Sequence, residues 1–226
     1  MSMLTNLDLI RRVPLFAMLT PAQAETLASA VDKRRFRRGE LIVEQGKKSD
    51  SLYIILAGRA RVVVTDSKAR EVILATLHPG DHIGEMSLID QEPHSANVEA
   101  EVQTDALVLG GEDFTRCLLE NSSTVAAVMK GLVQRLRSAD RKIESLALLG
   151  VYGRVANVLL DSGVPVPGPG DVRLIRDKIS RQDIAKMVGA SREMVSRVMK
   201  DFEEQGFIET RADGSVLVHE RRKVPR

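Results

Sequence analysis

The sequence predicts an α+β chain in three parts: an N-terminal β jelly-roll barrel, a long dimerisation helix and a C-terminal winged helix-turn-helix. Three observations carry this. Short β-like runs recur roughly every ten to fifteen residues with glycine turns between them. Apolar residues then repeat at heptad spacing. The last third holds two capped helices around a glycine, followed by an Asp-Gly hairpin signal.

The first part, residues 1–113, opens with a helix. Thr20 is its N-cap, Pro21 its first position, and Ala24, Leu27, Ala28 and Val31 form its apolar face. After Arg38-Gly39 the texture changes to ELIVEQG, LYIILAG, ARVVVTD, EVILATL, HIGEM, NVEAEV and ALVLGG, punctuated by Gly46, Gly58, Gly80-Asp81 and Gly84. These runs place the barrel at about residues 20–113. Aromatic residues make up only 3% of the chain, so Val, Ile, Leu and Met must fill its interior.

From Phe114 the period is helical, and residues 114–150 form the second part. Val125, Met129, Leu132, Leu136, Ala139, Ile143 and Leu146 alternate spacings of four and three. That is the a/d seam of a coiled coil, narrower than the stripe of a helix packed on its own barrel, and it predicts a homodimer.

The third part, residues 151–226, continues as helix over 151–161 and breaks at VPVPGPG, residues 164–170. In ISRQDIAKMVGASREMVSRVMKDFEEQGFI, residues 179–208, Ser180 caps one helix and Ser191 a second, with Gly189 at the turn. Met194, Val195, Val198 and Phe202 are expected to point inward. Arg192, Glu193, Ser196, Arg197 and Lys200 share the opposite face, which suits DNA: arginine can donate two hydrogen bonds to guanine, and glutamate can accept from cytosine. Ser180, Arg181, Gln182, Ser191 and Lys200 suit phosphate contacts that set register. Asp213-Gly214 sits between two β-like runs as the turn of a wing.

Composition excludes more than it asserts. Residues 151–226 carry 14 basic against 11 acidic side chains and the first 150 carry 19 against 20, a mild basic excess that permits DNA contact. The one cysteine, Cys117, excludes an intrachain disulfide and a cysteine-held iron–sulfur cluster, and reads as an apolar filler. No run suits a membrane span and no signal-peptide layout opens the chain, so a cytoplasmic protein is expected. Neither a Ser/His/Asp set nor metal-ligand spacing appears, so neither an enzyme nor a metal site is expected.

The Gly84-Glu85 … Ser95-Ala96 segment, the seam helix and SRQDIAKMVGASREMVSRVMK together resemble the CRP/FNR family of bacterial transcription regulators, from about Leu15 to Val218. The resemblance implies a cyclic-nucleotide-binding barrel, a two-fold dimer, RNA polymerase as a partner and a palindromic TGTGA-like operator. The family's base-reading Arg, Glu and Arg fall on Arg192, Glu193 and Arg197, and its phosphate contacts on Arg181 and Ser191. A threonine that often follows that serine is Met194 here. The ligand-binding positions implied are Gly84, Glu85, Met86, Ser87, His94, Ser95, Ala96, Ala139 and Asp140. They depart from the cAMP-binding pattern in two places, at His94 and at the pair Ala139-Asp140. His94 replaces the phosphate-neutralising arginine, in a loop one residue shorter, and offers no fixed charge. Ala139-Asp140 replaces an adenine-contacting Thr-Ser pair. Asp140 could accept the N1–H and N2–H₂ pair of guanine, or simply pair with Arg137 or Arg141. The effector expected is a cyclic nucleotide, cAMP or cyclic di-GMP. A constitutive dimer with a vestigial pocket, and haem held by His78 or His82, are the other readings.

Overall fold

The computed structural model describes residues 5–167, 171–176 and 179–220, so part of the expected 164–170 loop lies outside the described residues. The chain divides between Leu136 and Arg137 into two compact units.

The first unit opens with two helices whose starts are written locally. Thr5 caps α1 (Asn6–Ile10) with Asp8 reaching back, and Thr20 caps α2 (Pro21–Ala30) with Gln23 reaching back. Helix α2 ends at Ala30, so Val31 does not belong to its apolar face. It begins β1 (Val31–Phe36), a strand that the heavily charged VDKRRF conceals from hydropathy patterning.

Seven further strands follow: β2 (Leu41–Val43), β3 (Ser51–Ala57), β4 (Ala60–Thr65), β5 (Glu71–Leu77), β6 (His82–Ile83), β7 (Asn97–Ala100) and β8 (Thr104–Gly110). They make two antiparallel four-stranded sheets, ordered β1-β8-β3-β6 and β2-β7-β4-β5. The run LYIIL in β3 is apolar throughout because its sheet is covered on both faces. Tyr53 and Ile55 pack with Phe36, Ile42 and Val98 between the sheets, whereas Leu52 and Ile54 pack with Leu27, Phe114 and Val128 under the helices.

HIGEM is not one strand. Gly84 takes φ +99°, and a Cβ there would lie 2.6 Å from the Ser51 carbonyl oxygen, so only glycine fits. The chain turns at that point into α3 (Glu85–Asp90). Helical structure also resumes earlier than Phe114, at Gly111, in α4 (Gly111–Glu120). Asn121 then donates to the Cys117 carbonyl at 3.1 Å, fixing the corner into α5 (Ser122–Leu148). This helix has 27 residues and runs about 40 Å. Thr124 and Val128 are buried and Leu132 packs on the barrel core.

The second unit begins within α5. Gly150 restarts the chain as α6 (Val151–Ser162), followed by β9 (Val164–Pro165), β10 (Val172–Ile175), α7 (Arg181–Val188), α8 (Arg192–Glu204), β11 (Ile208–Thr210) and β12 (Val216–His219). The strands form one antiparallel sheet, β11-β12-β10-β9. Arg211, Gly214 and Ser215 close the β11–β12 turn, and Asp213 accepts from both the amide and the hydroxyl of Ser215. The core is Val155, Leu159, Ile184, Val195, Val198, Phe202 and Phe207, with their neighbours. Phe202 and Phe207 are fully buried with ring centroids 4.8 Å apart, and each such ring contributes about 1.5–3 kcal/mol of burial.

Candidate functional site

Two sets of side chains carry chemistry, one in each unit. In the first, the strand-to-helix turn at Gly84 buries the Glu85 side chain beneath α5. Arg135, from α5, donates to Glu85 Oε1 and to the His82 carbonyl. Glu85 Oε2 is buried and has no hydrogen-bond partner. Burial raises the Glu85 carboxyl above its ordinary value, and the Arg135 guanidinium opposes that rise. The result is a buried carboxyl with one oxygen paired to Arg135 and the other left without a partner.

His82 completes this cluster. Its ring packs against α5 where Gly131 leaves space, since a Cβ there would stand 3.1 Å from His82 Cε1. Burial, with Arg135 adding to it, lowers its pKa to about 4, so the ring is neutral at physiological pH. His78, the other histidine considered for haem, is exposed.

His94 does not stand open as a phosphate ligand. Its Nε2 shares a 2.7 Å hydrogen bond with Ser49 Oγ, its amide donates to the Lys47 carbonyl and its carbonyl accepts from Gly46. Burial lowers its pKa as well, so it supplies no cation at pH 7. The ring borders Gly84, 3.8 Å from where a Cβ would project, so His94 and the Gly84-Glu85 turn are neighbours. Ser95 is exposed and Ala96 buried, Met86 is half exposed, and the Ser87 hydroxyl donates to the Glu92 carbonyl. Ala139 and Asp140 are both exposed on α5, and Asp140 makes no ion pair with Arg137 or Arg141.

The seam separates into two behaviours. Val125 and Leu132 are half-buried against their own unit. Met129, Leu136, Ile143 and Leu146 are each more than half exposed, and Ala139 is exposed between them. An apolar row of that length is not a surface a monomer ordinarily shows to water.

In the second unit, Ser180 accepts from the Asp183 amide at 3.0 Å and Ser191 from the Met194 amide at 3.2 Å, so both helix starts are capped as their residue types require. Gly189 takes φ +65°, ψ +45°, the left-handed turn between α7 and α8. Val195, Val198, Met199 and Phe202 are buried; Met194 is only partly so, and Met199 takes the fourth inward place. Arg192, Glu193, Ser196, Arg197 and Lys200 all face out, with Gln182 and Ser191 exposed and Arg181 half-buried. Its own backbone amide, with the Ser191 hydroxyl second, holds the Glu193 carboxyl below its usual range, so it presents an acceptor. Three long polar side chains near the N-terminus of an exposed, capped helix are what a major groove accommodates.

Sequence reasoning missed Arg135. It sits between seam residues Leu132 and Leu136, where an arginine ordinarily reads as a solvated flanking charge. Only the fold brings Glu85, fifty residues earlier in sequence, beneath it.

The chain joins a cyclic-nucleotide-binding domain to a helix-turn-helix domain. Residues 33–121 match the cyclic nucleotide-binding domain model and residues 153–224 the Crp-like helix-turn-helix domain model. The chain is 32% identical over 197 residues to the cAMP-activated global transcriptional regulator Vfr of Pseudomonas aeruginosa, covering 85% of this chain and 92% of that one. It is similar to the catabolite activator protein of Thermus thermophilus, at 31% identity and TM-score 0.53, covering 92% and 94% of the two chains. The fold also matches the c-di-GMP responsive global regulator CLP of Xanthomonas campestris, at TM-score 0.72 and 23% identity, covering 88% and 99%. The chain belongs to the CRP/FNR family of transcription regulators. Among the described residues no helix is long and apolar enough to cross a membrane, and no group of three or more His, Cys, Asp or Glu could hold a metal ion.

Proposed function

We propose that the protein is a ligand-gated, sequence-specific regulator that binds a palindromic TGTGA-like operator as a homodimer, with a cyclic nucleotide as effector and RNA polymerase as its downstream partner. The observation that carries the gating is Arg135. It ties the buried Glu85 of the effector domain to α5, and α5 continues unbroken to Leu148, just before the DNA-binding domain. A ligand hydroxyl reaching Glu85 would compete with or reinforce that tie, and so bias the helix. The exposed row Met129, Leu136, Ala139, Ile143 and Leu146 supports a coiled-coil partner in a second copy, and two-fold symmetry then implies an operator with two-fold symmetry. Arg192, Glu193 and Arg197 read bases, while Arg181, Gln182, Ser191 and Lys200 hold phosphates.

In this reading a cyclic mononucleotide places a ribose hydroxyl on Glu85 Oε2 and its phosphate near Ser95 and the Gly84-Glu85 turn. His94, neutral and bound to Ser49, replaces a charge-assisted phosphate contact worth about 1.5–3 kcal/mol. Cyclic di-GMP is the second reading, favoured by one observation: Asp140 is exposed and unpaired, leaving a carboxylate for the guanine edge. Calorimetric titration with cAMP and with cyclic di-GMP, on the wild type and on Asp140→Ala, separates the two. Binding of cyclic di-GMP abolished by Asp140→Ala supports the guanine reading. Binding of cAMP alone, indifferent to that change, overturns it. A protein that binds neither nucleotide yet binds the palindrome supports the reading of a constitutive dimer with a vestigial pocket.

A further inference from the structure

Helix α8 carries an acid on the flank of its outward face. Asp201 stands one turn beyond Arg197, at the i, i+4 spacing where opposite charges meet on a helix surface. Side chains on a helix lean toward its N-terminus, so Asp201 leans toward the turn that bears Arg197. Such a pair would neutralise Arg197 and draw its guanidinium along the helix. The same spacing forms an ion pair elsewhere in α8, where Lys200 and Glu204 meet at 3.6 Å. Yet Arg197 and Asp201 are not paired.

The Asp201 carboxylate has another partner. Tyr152, from α6, donates its phenol to Asp201 Oδ2. The Tyr152 ring is held in turn by an edge-to-face contact with Phe202, with centroids 5.9 Å apart and planes at 77°, so the hydroxyl has little freedom to leave. Asp201 raises the phenol's pKa, so the proton stays on Tyr152, and Arg197 is near enough to oppose that rise slightly.

We propose that Tyr152 is a positioning residue for DNA recognition: by occupying Asp201 it keeps Arg197 unpaired and extended for a base edge. This rests on the reading of α8 as the base-reading helix, and adds to it a residue that touches no DNA. Without the phenol, Asp201 captures Arg197, and base discrimination falls while phosphate contacts remain.

The test uses full-length Tyr152→Phe, Asp201→Asn and the double variant. Fluorescence anisotropy reads binding to a palindromic TGTGA duplex and to a scrambled duplex. Tyr152→Phe is expected to lose roughly tenfold on the palindrome, within the range of one bidentate arginine–guanine contact, and about twofold or less on the scrambled duplex. The double variant regains most of that loss because no carboxylate remains to capture Arg197, and Asp201→Asn alone changes palindrome binding by about twofold or less. A merely structural tyrosine predicts the opposite, a double variant no tighter than Tyr152→Phe, and that result overturns the proposal. The Arg197 Nε–Hε resonance, followed by NMR without DNA, should move in Tyr152→Phe and return in the double variant. If it does not move, the proposal fails whatever the DNA data show. A wild type that binds both duplexes equally overturns the operator reading instead, and the resonance then decides the role of Tyr152.

Discussion

Arg135→Ala tests the tie between the effector domain and α5 directly. The Glu85 side chain is 1% exposed and that of Arg135 is 40% exposed, so one end of the pair is fully desolvated and the other is half in water. Removing one partner of a buried pair costs about 3–5 kcal/mol, whereas an exposed pair contributes about 0.2–1 kcal/mol. The mixed geometry places the loss near 2 kcal/mol, and at about 3 °C per kcal/mol for a chain of this size the melting point should fall by about 6 °C. The pH dependence distinguishes charge from packing. Burial already raises the folded-state pKa of Glu85 above its ordinary 4.5, so ionised Glu85 opposes folding at a pH above that value. Without Arg135 the folded-state pKa rises further, and the penalty grows as pH climbs from about 4.5 toward that pKa and levels off above it. Below about 4.5 the carboxyl is protonated in both states and the penalty vanishes. The deficit of Arg135→Ala, read by urea denaturation, should therefore be largest at pH 8 and shrink toward pH 4.5. An equal deficit at both pH values would show that Arg135 acts through packing and its bond to the His82 carbonyl alone, and would refute the electrostatic tie.

Three further outcomes follow from the same geometry. His82 is neutral in the folded protein down to pH about 4, against an ordinary pKa of 6.5, so its contribution is fully present above 6.5 and is lost as pH falls toward 4. The loss approaches about 3 kcal/mol, and denaturation of His82→Leu should show a flattened acid limb. Arg192→Ala should cost about 1–3 kcal/mol on the palindrome and relax base preference, while Lys200→Ala weakens palindrome and scrambled duplex alike. Equal losses on both duplexes for Arg192→Ala would contradict its base-reading role. Finally, Leu136→Asp with Ile143→Asp places charge on the exposed seam and should convert a sedimenting dimer to monomer without unfolding the chain, since both side chains are more than 60% exposed.

The parts of the fold that were legible in the sequence are those written in local chemistry. Thr20-Pro21, Ser180, Gly189, Ser191 and Asp213-Gly214 each perform in the structure the cap or turn that their residue type favours. Strand β1 was not legible, because Asp32, Lys33, Arg34 and Arg35 are all exposed and no alternation survives between Val31 and Phe36. HIGEM misled for the opposite reason: its apolar texture continues across Gly84, but the left-handed backbone there ends the strand. At the effector site the sequence carried Glu85 and His94 but not the partners that decide their chemistry. Arg135 and Ser49 lie far away in sequence and reach those two residues only through folding. The same holds for Tyr152 and Asp201, whose hydrogen bond spans 49 residues.

The most direct test of the account is anisotropy titration of the wild-type protein on the palindromic TGTGA duplex, without nucleotide, with cAMP and with cyclic di-GMP. A ligand-gated regulator binds the palindrome more tightly than its scrambled counterpart, and one of the two nucleotides changes that affinity by about tenfold or more, the usual scale of allosteric coupling. Affinity for the palindrome that neither nucleotide alters would contradict the gating, and equal affinity for both duplexes would contradict the sequence-specific output.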